Sequence, residues 1–291
     1  MYLGIDHGTS AIRFATESGH FKVSREEARD FRLSWIEDRL PGNDRIDAIA
    51  LTYSMGDRIS SVTPVSKVIN RGIITREGAG KHVGGGTRVF DEVSASGIPA
   101  YLIPGLHRNS PTDPRFKAYS HQSSPEKIGI AYKVYNEVQK DCIISDVSSN
   151  TVSLLIMNGR IVGAIDACIF APGTEHGAID VDAIRNVDNS INTANEAFQR
   201  AGVRYTVPPA LQDTTLALWV AMECAALQIL SHDAVIALAG SMAPIIAKDV
   251  SILLKKDLKV YDEWSASEGL SEIARFIHLG GRDVLGIPVD F

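Results

Sequence analysis

Cysteine is scarce in this chain. Cys142, Cys168 and Cys224 stand far apart with no C-x-x-C pair, which excludes a disulfide framework and the usual zinc or iron–sulfur spacings. They read as inert thiols in a reducing cytoplasm. No stretch approaches the ~18–20 consecutive apolar residues of a membrane span. Met1–Gly8 has neither the basic head nor the apolar run of a secretory leader, so a cytoplasmic, membrane-free protein is expected. A basic surplus is missing too: 29 Lys and Arg face 35 Asp and Glu, a net charge of -6. That argues against a nonspecific nucleic-acid binder, which needs a basic face to neutralise phosphates. No low-complexity linker interrupts the 291 residues. What the chain does have is 45% apolar residues, enough for a large core and two lobes.

The apolar pattern repeats itself. Tyr2–Ile5 is a strand-like run ending in Asp6, Gly8-Thr9-Ser10 is a turn, and Ile12, Phe14, Phe21 and Val23 continue with strand alternation. A charged helix over Glu26–Asp38, a strand at Ala48–Tyr53, a Gly-rich loop over residues 71–88 and a strand at Ala100–Ile103 follow. Ser123-x-x-Glu126 reads as a capping box opening a helix to about Val138. The opening then recurs. Cys142–Ser145 is a strand ending in Asp146, Ser148-Ser149-Asn150-Thr151 is a polar turn, and Val152–Met157 and Ile161–Ile165 flank a hairpin at Asn158-Gly159. Helices near 192–201, 215–230, 244–254 and 267–279 alternate with strands near 234–238 and 258–261. Two copies of strand, aspartate, small polar turn and hairpin predict a duplicated domain with its boundary near residue 139 and a cleft between the lobes.

A carboxylate at a strand's end followed by a turn of small residues suits a phosphate and its metal. Backbone N–H groups and hydroxyls of Gly8, Thr9 and Ser10 cradle the anion, Asp6 holds Mg²⁺, and Arg13 on the next strand reaches an anionic group. Asp146 with Ser148, Ser149 and Asn150 supplies the second half of the clamp. One such turn is weak evidence, because Asp-x-Gly is also a common hairpin; two copies carry the reading. Gly240-Ser241, between a strand and a helix, suits close approach of a flat adenine–ribose group, or is an ordinary strand-to-helix turn. His7 beside Asp6 is more simply a turn histidine bonding its own loop than an acid or base. Glu175-His176 reads as a substrate pair or as an exposed loop. Arg71, Lys81 and His82 read equally as phosphate or substrate contacts and as a solvated loop. Trp35, Trp219 and Phe198 fall in helical patterns and are expected in the core.

The pair of aspartate turns with a later strand–Gly turn resembles the actin/sugar kinase/Hsp70 superfamily, and more closely its acetate and butyrate kinase branch. Ile5-Asp6-His7-Gly8-Thr9-Ser10 through Phe14 is similar to that branch's first phosphate loop, where Asn stands at Asp6 and Lys at Arg13. Arg71-Gly72, Gly85-Gly86-Thr87 and Gly97-Ile98-Pro99-Ala100 resemble the butyrate kinase lobe junction. Asp146 through Gly163 is similar to the second phosphate loop and hairpin, Thr174, Glu175 and His176 to the substrate loop, and Leu238–Ser241 to the adenosine segment. A narrower resemblance is to methanogenesis marker protein 12, an archaeal family of methanogens. It is carried by Met55-Gly-Asp-Arg58, Asn70-Arg-Gly72, Gly78-Ala-Gly-Lys81, Ile103–Arg108, Asp113–Lys117 and Asp146–Val152.

The resemblance implies an α/β fold of two ribonuclease H-like lobes around a nucleotide cleft. Residues 1–139 with 279–291 form the first lobe and 140–278 the second. It implies ATP or ADP with Mg²⁺, Asp6, Asp146 and Arg71 as catalytic residues, a small anionic substrate, and a homodimer through the second lobe. The expected activity is a phosphotransferase or ATPase. The alternatives are an ATP-driven activator with a methanogenesis enzyme as partner, or a nonenzymatic nucleotide-binding protein. Two departures bear on the chemistry. Asp146 stands where the acid kinases carry a catalytic His, and Glu175 where acetate kinase places an Arg. A bare carboxylate at 175 repels an acyl phosphate, so acyl kinase activity is not expected.

Overall fold

A computed structural model of the chain describes residues 1–9, 11–41, 45–53, 59–68 and 85–291. Ser10, Met55–Arg58, Asn70–Gly72 with Arg71, and Gly78–His82 lie outside the described residues. The chain divides into two compact units, Met1–Glu137 with Trp264–Phe291, and Val138–Glu263.

In the first unit, β1 (Tyr2–His7), β2 (Ala11–Thr16), β3 (Gly19–Ser24), β4 (Ala48–Thr52), β5 (Thr63–Pro64) and β6 (Ala100–Ile103) form one sheet ordered β3-β2-β1-β4-β6-β5. The first three strands are an antiparallel meander, and β4 and β6 extend it in parallel from β1. Ile12 and Phe14 alternate onto one buried face. There Phe14 stacks on Phe21 at 4.8 Å and on Phe31 at 5.1 Å between ring centroids. Phe31 breaks the helix expected over Glu26–Asp38. Its side chain turns into the core, leaving a 3₁₀ turn at Glu27–Asp30 and a separate α1 (Ser34–Arg39). After α2 (Gly85–Ala95) come the hairpin of β7 (Leu106–His107) and β8 (His121–Ser123), then α3 (Glu126–Val138). The expected capping box does not form, because Ser123 closes β8 and its hydroxyl donates to the Ser124 carbonyl.

The second unit repeats the plan. β9 (Cys142–Val147), β10 (Thr151–Met157) and β11 (Arg160–Asp166) form the meander. Helices α4 (Val181–Asp188), α5 (Ala194–Gln199), α6 (Val203–Thr206) and α7 (Gln212–Gln228) lead to β12 (Val235–Ala239), α8 (Ala243–Leu254) and β13 (Leu258–Val260). The sheet order is β11-β10-β9-β12-β13, with β12 and β13 parallel to β9. Three antiparallel strands extended by parallel ones in each sheet, with the short β5 added antiparallel at the edge of the first, make the mixed α/β architecture expected from the sequence. Trp35, Trp219 and Phe198 are half-buried rather than core, since each sits at the margin of its helix's inward face. Among the described residues no helix is long and apolar enough to cross a membrane.

The last helix, α9 (Ser265–His278), and the hairpin of β14 (Asp283–Val284) and β15 (Ile287–Pro288) belong to the first unit, so the return starts at Trp264, ahead of Leu279. The inward face of α9 is built of Ala266, Ser267, Gly269, Leu270, Ser271 and Ala274. Such small residues let its backbone approach β1 closely. A Cβ on Gly4 would collide with Ser267 O and Ser271 N, and one on Gly269 with Gly129 O of α3. These neighbours are backbone and have nowhere to move. Gly4→Ala is therefore expected to lower unfolding free energy by about 3 kcal/mol, as overpacking does. Urea denaturation of the variant against the parent checks this.

Candidate functional site

Asp6 is the penultimate residue of β1, and its side chain is buried. The antiparallel register sets Asp6 opposite Arg13, with Oδ2 3.5 Å from the guanidinium Nη1. The next residue, His7, donates its backbone N–H to Thr52 Oγ1 at 2.8 Å, which fixes the strand's end against β4. Arg25, from the turn after β3, closes the arrangement from below. Its Nε donates to Gly8 O at 3.0 Å and its Nη2 to His7 O at 3.2 Å. Sequence reasoning passed over Arg25, which sits in a run of charged residues where nothing distinguishes it. The His7 ring packs edge-on against Tyr53, 5.7 Å between centroids, and neither ring nitrogen has a hydrogen-bond partner. It therefore does not bond its own loop as expected. Burial, then the charge of Arg25, pull its pKa down to about 3. A histidine held neutral this firmly does not serve as an acid near neutral pH. Gly8 and Thr9 follow in the turn, with Thr9 exposed.

In the second unit Asp146 is likewise the penultimate residue of its strand, β9, is buried, and pairs in register with Ala239 of the parallel β12. Gly240 follows with φ +88°, and a Cβ there would collide with Asp146 Oδ1. Only glycine gives both that backbone and that approach. Met242 N–H donates to Val147 O at 3.0 Å, tying the start of α8 to the same strand end. The turn after Asp146 closes with Ser148 N–H on Asn150 O at 2.8 Å. Asn150 Nδ2 reaches Asp166 Oδ2 at 3.0 Å.

The loop at residues 173–177 is fastened to that turn. Thr174 N–H donates to Ser148 O at 2.9 Å, while Glu175 and His176 N–H both donate to Ser149 O, at 3.0 and 2.9 Å. His176 also stacks on Phe198, 4.8 Å and nearly coplanar. The structure thus brings Asp146, Ser148, Ser149, Asn150, Thr174, Glu175, His176 and Gly240 into one assembly, with Ser241 exposed beside it. Asp6, Gly8, Thr9 and Arg13 form the other assembly, in the first unit.

Glu175 corrects an expectation. Residues 202–204 run beside the loop, with Gly202 N–H on Glu175 O at 2.8 Å and Arg204 N–H on Thr174 O at 3.0 Å. That register carries the Arg204 guanidinium onto Glu175 Oε1, and Tyr205 Oη donates to Oε2 at 2.6 Å. The carboxylate is not bare but neutralised. Arg204 and Tyr205 lie a whole helical excursion later in the chain, so no local motif announced them.

A second acid lies deeper. Glu223, inside α7, is fully buried; its Oε1 accepts the Ala171 N–H at 3.2 Å, and Oε2 has no partner. Burial raises its pKa to about 8, with the nearby Asp166 charge adding to the rise. Burial also pushes the Cys142 thiol up to about 12, so it is not a nucleophile near neutral pH, whereas Cys168 is exposed. Among the described residues no group of three or more His, Cys, Asp or Glu is placed to hold a metal on protein ligands alone.

No protein-family model matches the sequence. The chain is 44% identical to a UPF0285 protein of Methanosarcina mazei across all of this chain and 99% of that one. It is 39% identical to the Methanothermobacter thermautotrophicus UPF0285 protein, covering 100% and 98%. Among solved structures it is similar to a propionate kinase from Francisella tularensis, with TM-score 0.59, 12% identity, and 94% and 97% of the two chains covered. Porphyromonas gingivalis acetate kinase gives TM-score 0.55 at 12% identity over 92% and 90%. The ROK hexokinase of Thermus thermophilus gives 0.54 at 12% over 96% and 99%. At such identities the likeness shows the fold: that of the sugar and acetate kinases.

Glu223 generates a prediction with a definite sign. Its folded pKa lies above its unfolded one, so the folded state holds the proton longer, and stability is lost as pH rises from about 4.5 through about 8. Glu223→Gln keeps the shape without the titration. The stability difference, wild type minus variant, should fall between pH 5 and pH 8, with a slope approaching about 1.4 kcal/mol per pH unit. Denaturant melts of both proteins across that range measure it.

Proposed function

The chain belongs to the UPF0285 family of methanogens, and from that premise we propose that it is a cytoplasmic Mg-ATP-dependent phosphotransferase or ATPase acting on a small anion. In this reading the family is the methanogenesis marker protein 12 group that the sequence resembles, and the aspartate turn of each unit is a phosphate-binding loop. The observation that carries the proposal is the cradle at Asp146. A parallel strand pair delivers a glycine with no side chain onto a buried carboxylate, directly beside a turn of small polar residues. A fold of the sugar and acetate kinase type supports it.

The donor set fits Mg²⁺, a hard cation that takes one or two carboxylates and fills its shell with water and phosphate oxygens. Asp6 and Asp146 would hold it, each kept in place by its strand end. Bound there, the ion supplies charge neutralisation to phosphate oxygens. The chain's own residues do the rest. Gly8, Thr9 and the Ser148–Asn150 turn offer N–H groups and hydroxyls to phosphate, Gly240 and Ser241 flank the nucleoside, and Arg13 holds the Asp6 carboxylate in place. The loop at 174–176 shapes the acceptor side. Its guanidinium, from Arg204, is engaged by Glu175 and is therefore not available to an acyl phosphate. This favours an acceptor other than a short fatty acid.

Millimolar ADP with Mg²⁺ should raise the melting temperature by mass action on the folded state. Asp6→Ala should abolish the Mg-dependent part of that shift while the protein still melts cooperatively. In the same preparation, hydroxamate trapping with ATP, Mg²⁺ and acetate or butyrate should give no acyl phosphate above background. An unshifted melt with nucleotide, or brisk hydroxamate formation, would overturn the corresponding half of the reading.

A further inference from the structure

The first unit carries a cleft of about 620 Å³ that the chemistry proposed above does not use. All of its walls belong to that unit, and its volume lies within the range of small-molecule sites. It arises from the way two helices meet. Gly129 of α3 and Gly269 of α9 bring their backbones together, so that a Cβ on either would collide with main chain of the other helix. Beyond that crossing, long side chains span the gap. Lys133 Nζ reaches Glu268 Oε2 at 2.9 Å, and Asn136 Nδ2 donates to Glu272 Oε2 at 2.8 Å. Tyr132 and Phe276, tilted with 6.0 Å between ring centroids, give the cleft apolar surface, which Leu279 extends. Glu17, in the turn after β2, lines it from a third element.

The charges that line the cleft do not cancel among themselves. Lys133 is spent on Glu268 and, at 3.5 Å, on Glu137. Glu17 Oε2 accepts the Tyr2 N–H at 3.1 Å, and Glu272 accepts the Asn136 amide. Both donors are neutral. Among the described residues neither carboxylate has a cation at ion-pair distance, and the Arg275 side chain has no hydrogen-bond or ion-pair partner. Glu272 and Arg275 stand one turn apart on α9, close enough for an ion pair that they do not make. Water solvates these groups in the free protein. What the cleft adds is a fixed arrangement, two carboxylates held by neutral donors and one guanidinium, beside apolar surface. A simple cation leaves Arg275 unmatched there, and a simple anion leaves both carboxylates unmatched.

We propose that this cleft binds a diamino carboxylic acid, the class of small molecule whose charges complement two carboxylates and one guanidinium. An α-amino group and its carboxylate sit on one carbon and need neighbouring partners, which Glu272 and Arg275 provide from one face of α9. The distal ammonium goes to Glu17 on the opposite wall, and the methylene chain lies along Tyr132, Phe276 and Leu279. The site stands independently of the nucleotide reading, and no bond is made or broken there.

The test is isothermal titration calorimetry of the full chain, without nucleotide and at constant ionic strength, with three probes. L-lysine carries all three charges, L-norleucine lacks the distal ammonium, and cadaverine lacks the carboxylate. L-lysine should bind saturably, and each of the other two about tenfold more weakly, the loss expected for one charge-assisted contact. Glu17→Gln should bring L-lysine down to the affinity of L-norleucine and leave L-norleucine unchanged. Arg275→Gln should weaken both amino acids about tenfold and leave cadaverine unchanged. Both side chains are exposed, and glutamine at 17 still accepts the Tyr2 N–H, so both variants should melt as the parent does. Thermal melts confirm that before titration. Absence of saturable L-lysine binding, equal affinity for the three probes, or losses in the variants that do not follow the missing group each overturn the proposal.

Discussion

The constraint on which both candidate loops depend is a carboxylate buried at the end of a central strand. Asp6 and Asp146 are only 4% and 6% exposed, and a charge held so far from water destabilises the fold unless its surroundings compensate. Each unit answers differently. The first compensates with charge, setting Arg13 across the antiparallel ladder and Arg25 beneath the turn. The second compensates with space and dipoles. Gly240 withholds a side chain so that backbone approaches Asp146 directly, and the Ser148–Asn150 turn closes on itself beside it. Both solutions need the strand ends held rigidly, which the parallel neighbours β4 and β12 provide.

Rigidity at the second loop propagates outward through main-chain bonds. The carbonyls of Ser148 and Ser149 are occupied by the N–H groups of Thr174, Glu175 and His176, and the carbonyls of Gly173, Thr174 and Glu175 by those of Val203, Arg204 and Gly202. Three segments distant in sequence therefore behave as one piece. Glu223 anchors the same piece from the core side by holding Ala171, two residues before Gly173. A protonated carboxyl accepts that N–H without placing a charge in the interior, which is why its raised pKa is compatible with the fold.

Much of this was legible in the sequence, for an identifiable reason. Strand alternation around Ile12 and Phe14, and the recurrence of strand, aspartate and small polar turn, are local patterns, and local patterns encode the two meanders and the position of each aspartate. The break at Phe31 was not legible, because helical charge spacing on either side says nothing about where one aromatic ring will pack. Ser123 matched a capping box but closes a strand, since pairing with β7 outweighs a single cap. At the site, the residues missed were Arg25, Arg204 and Tyr205. Each acts through a tertiary register: Arg25 on carbonyls far upstream, Arg204 and Tyr205 on a carboxylate beyond an intervening helical excursion. A lone arginine in a charged run has no signature of its own.

The register at Glu175 also limits what comparison by motif can say. Position for position, a glutamate where a relative has arginine reads as a reversal of charge. In the folded loop it is half of a pair, and the guanidinium is present, displaced by one side chain and fixed by Tyr205 as well. Exchanging Glu175 for arginine would not restore the relative's loop. It would set two guanidiniums together, strip Tyr205 of its acceptor, and leave the main-chain bonds unchanged. The same caution applies at the other turn, where asparagine and lysine of the acid kinases are replaced by Asp6 and Arg13. Two neutral or singly charged groups become a facing pair of opposite charges. The exchange removes one positive charge locally and changes which groups are available to a ligand. Duplicated topology thus fixes where the loops stand, and the partner each charged side chain finds within its own unit decides what those loops can bind.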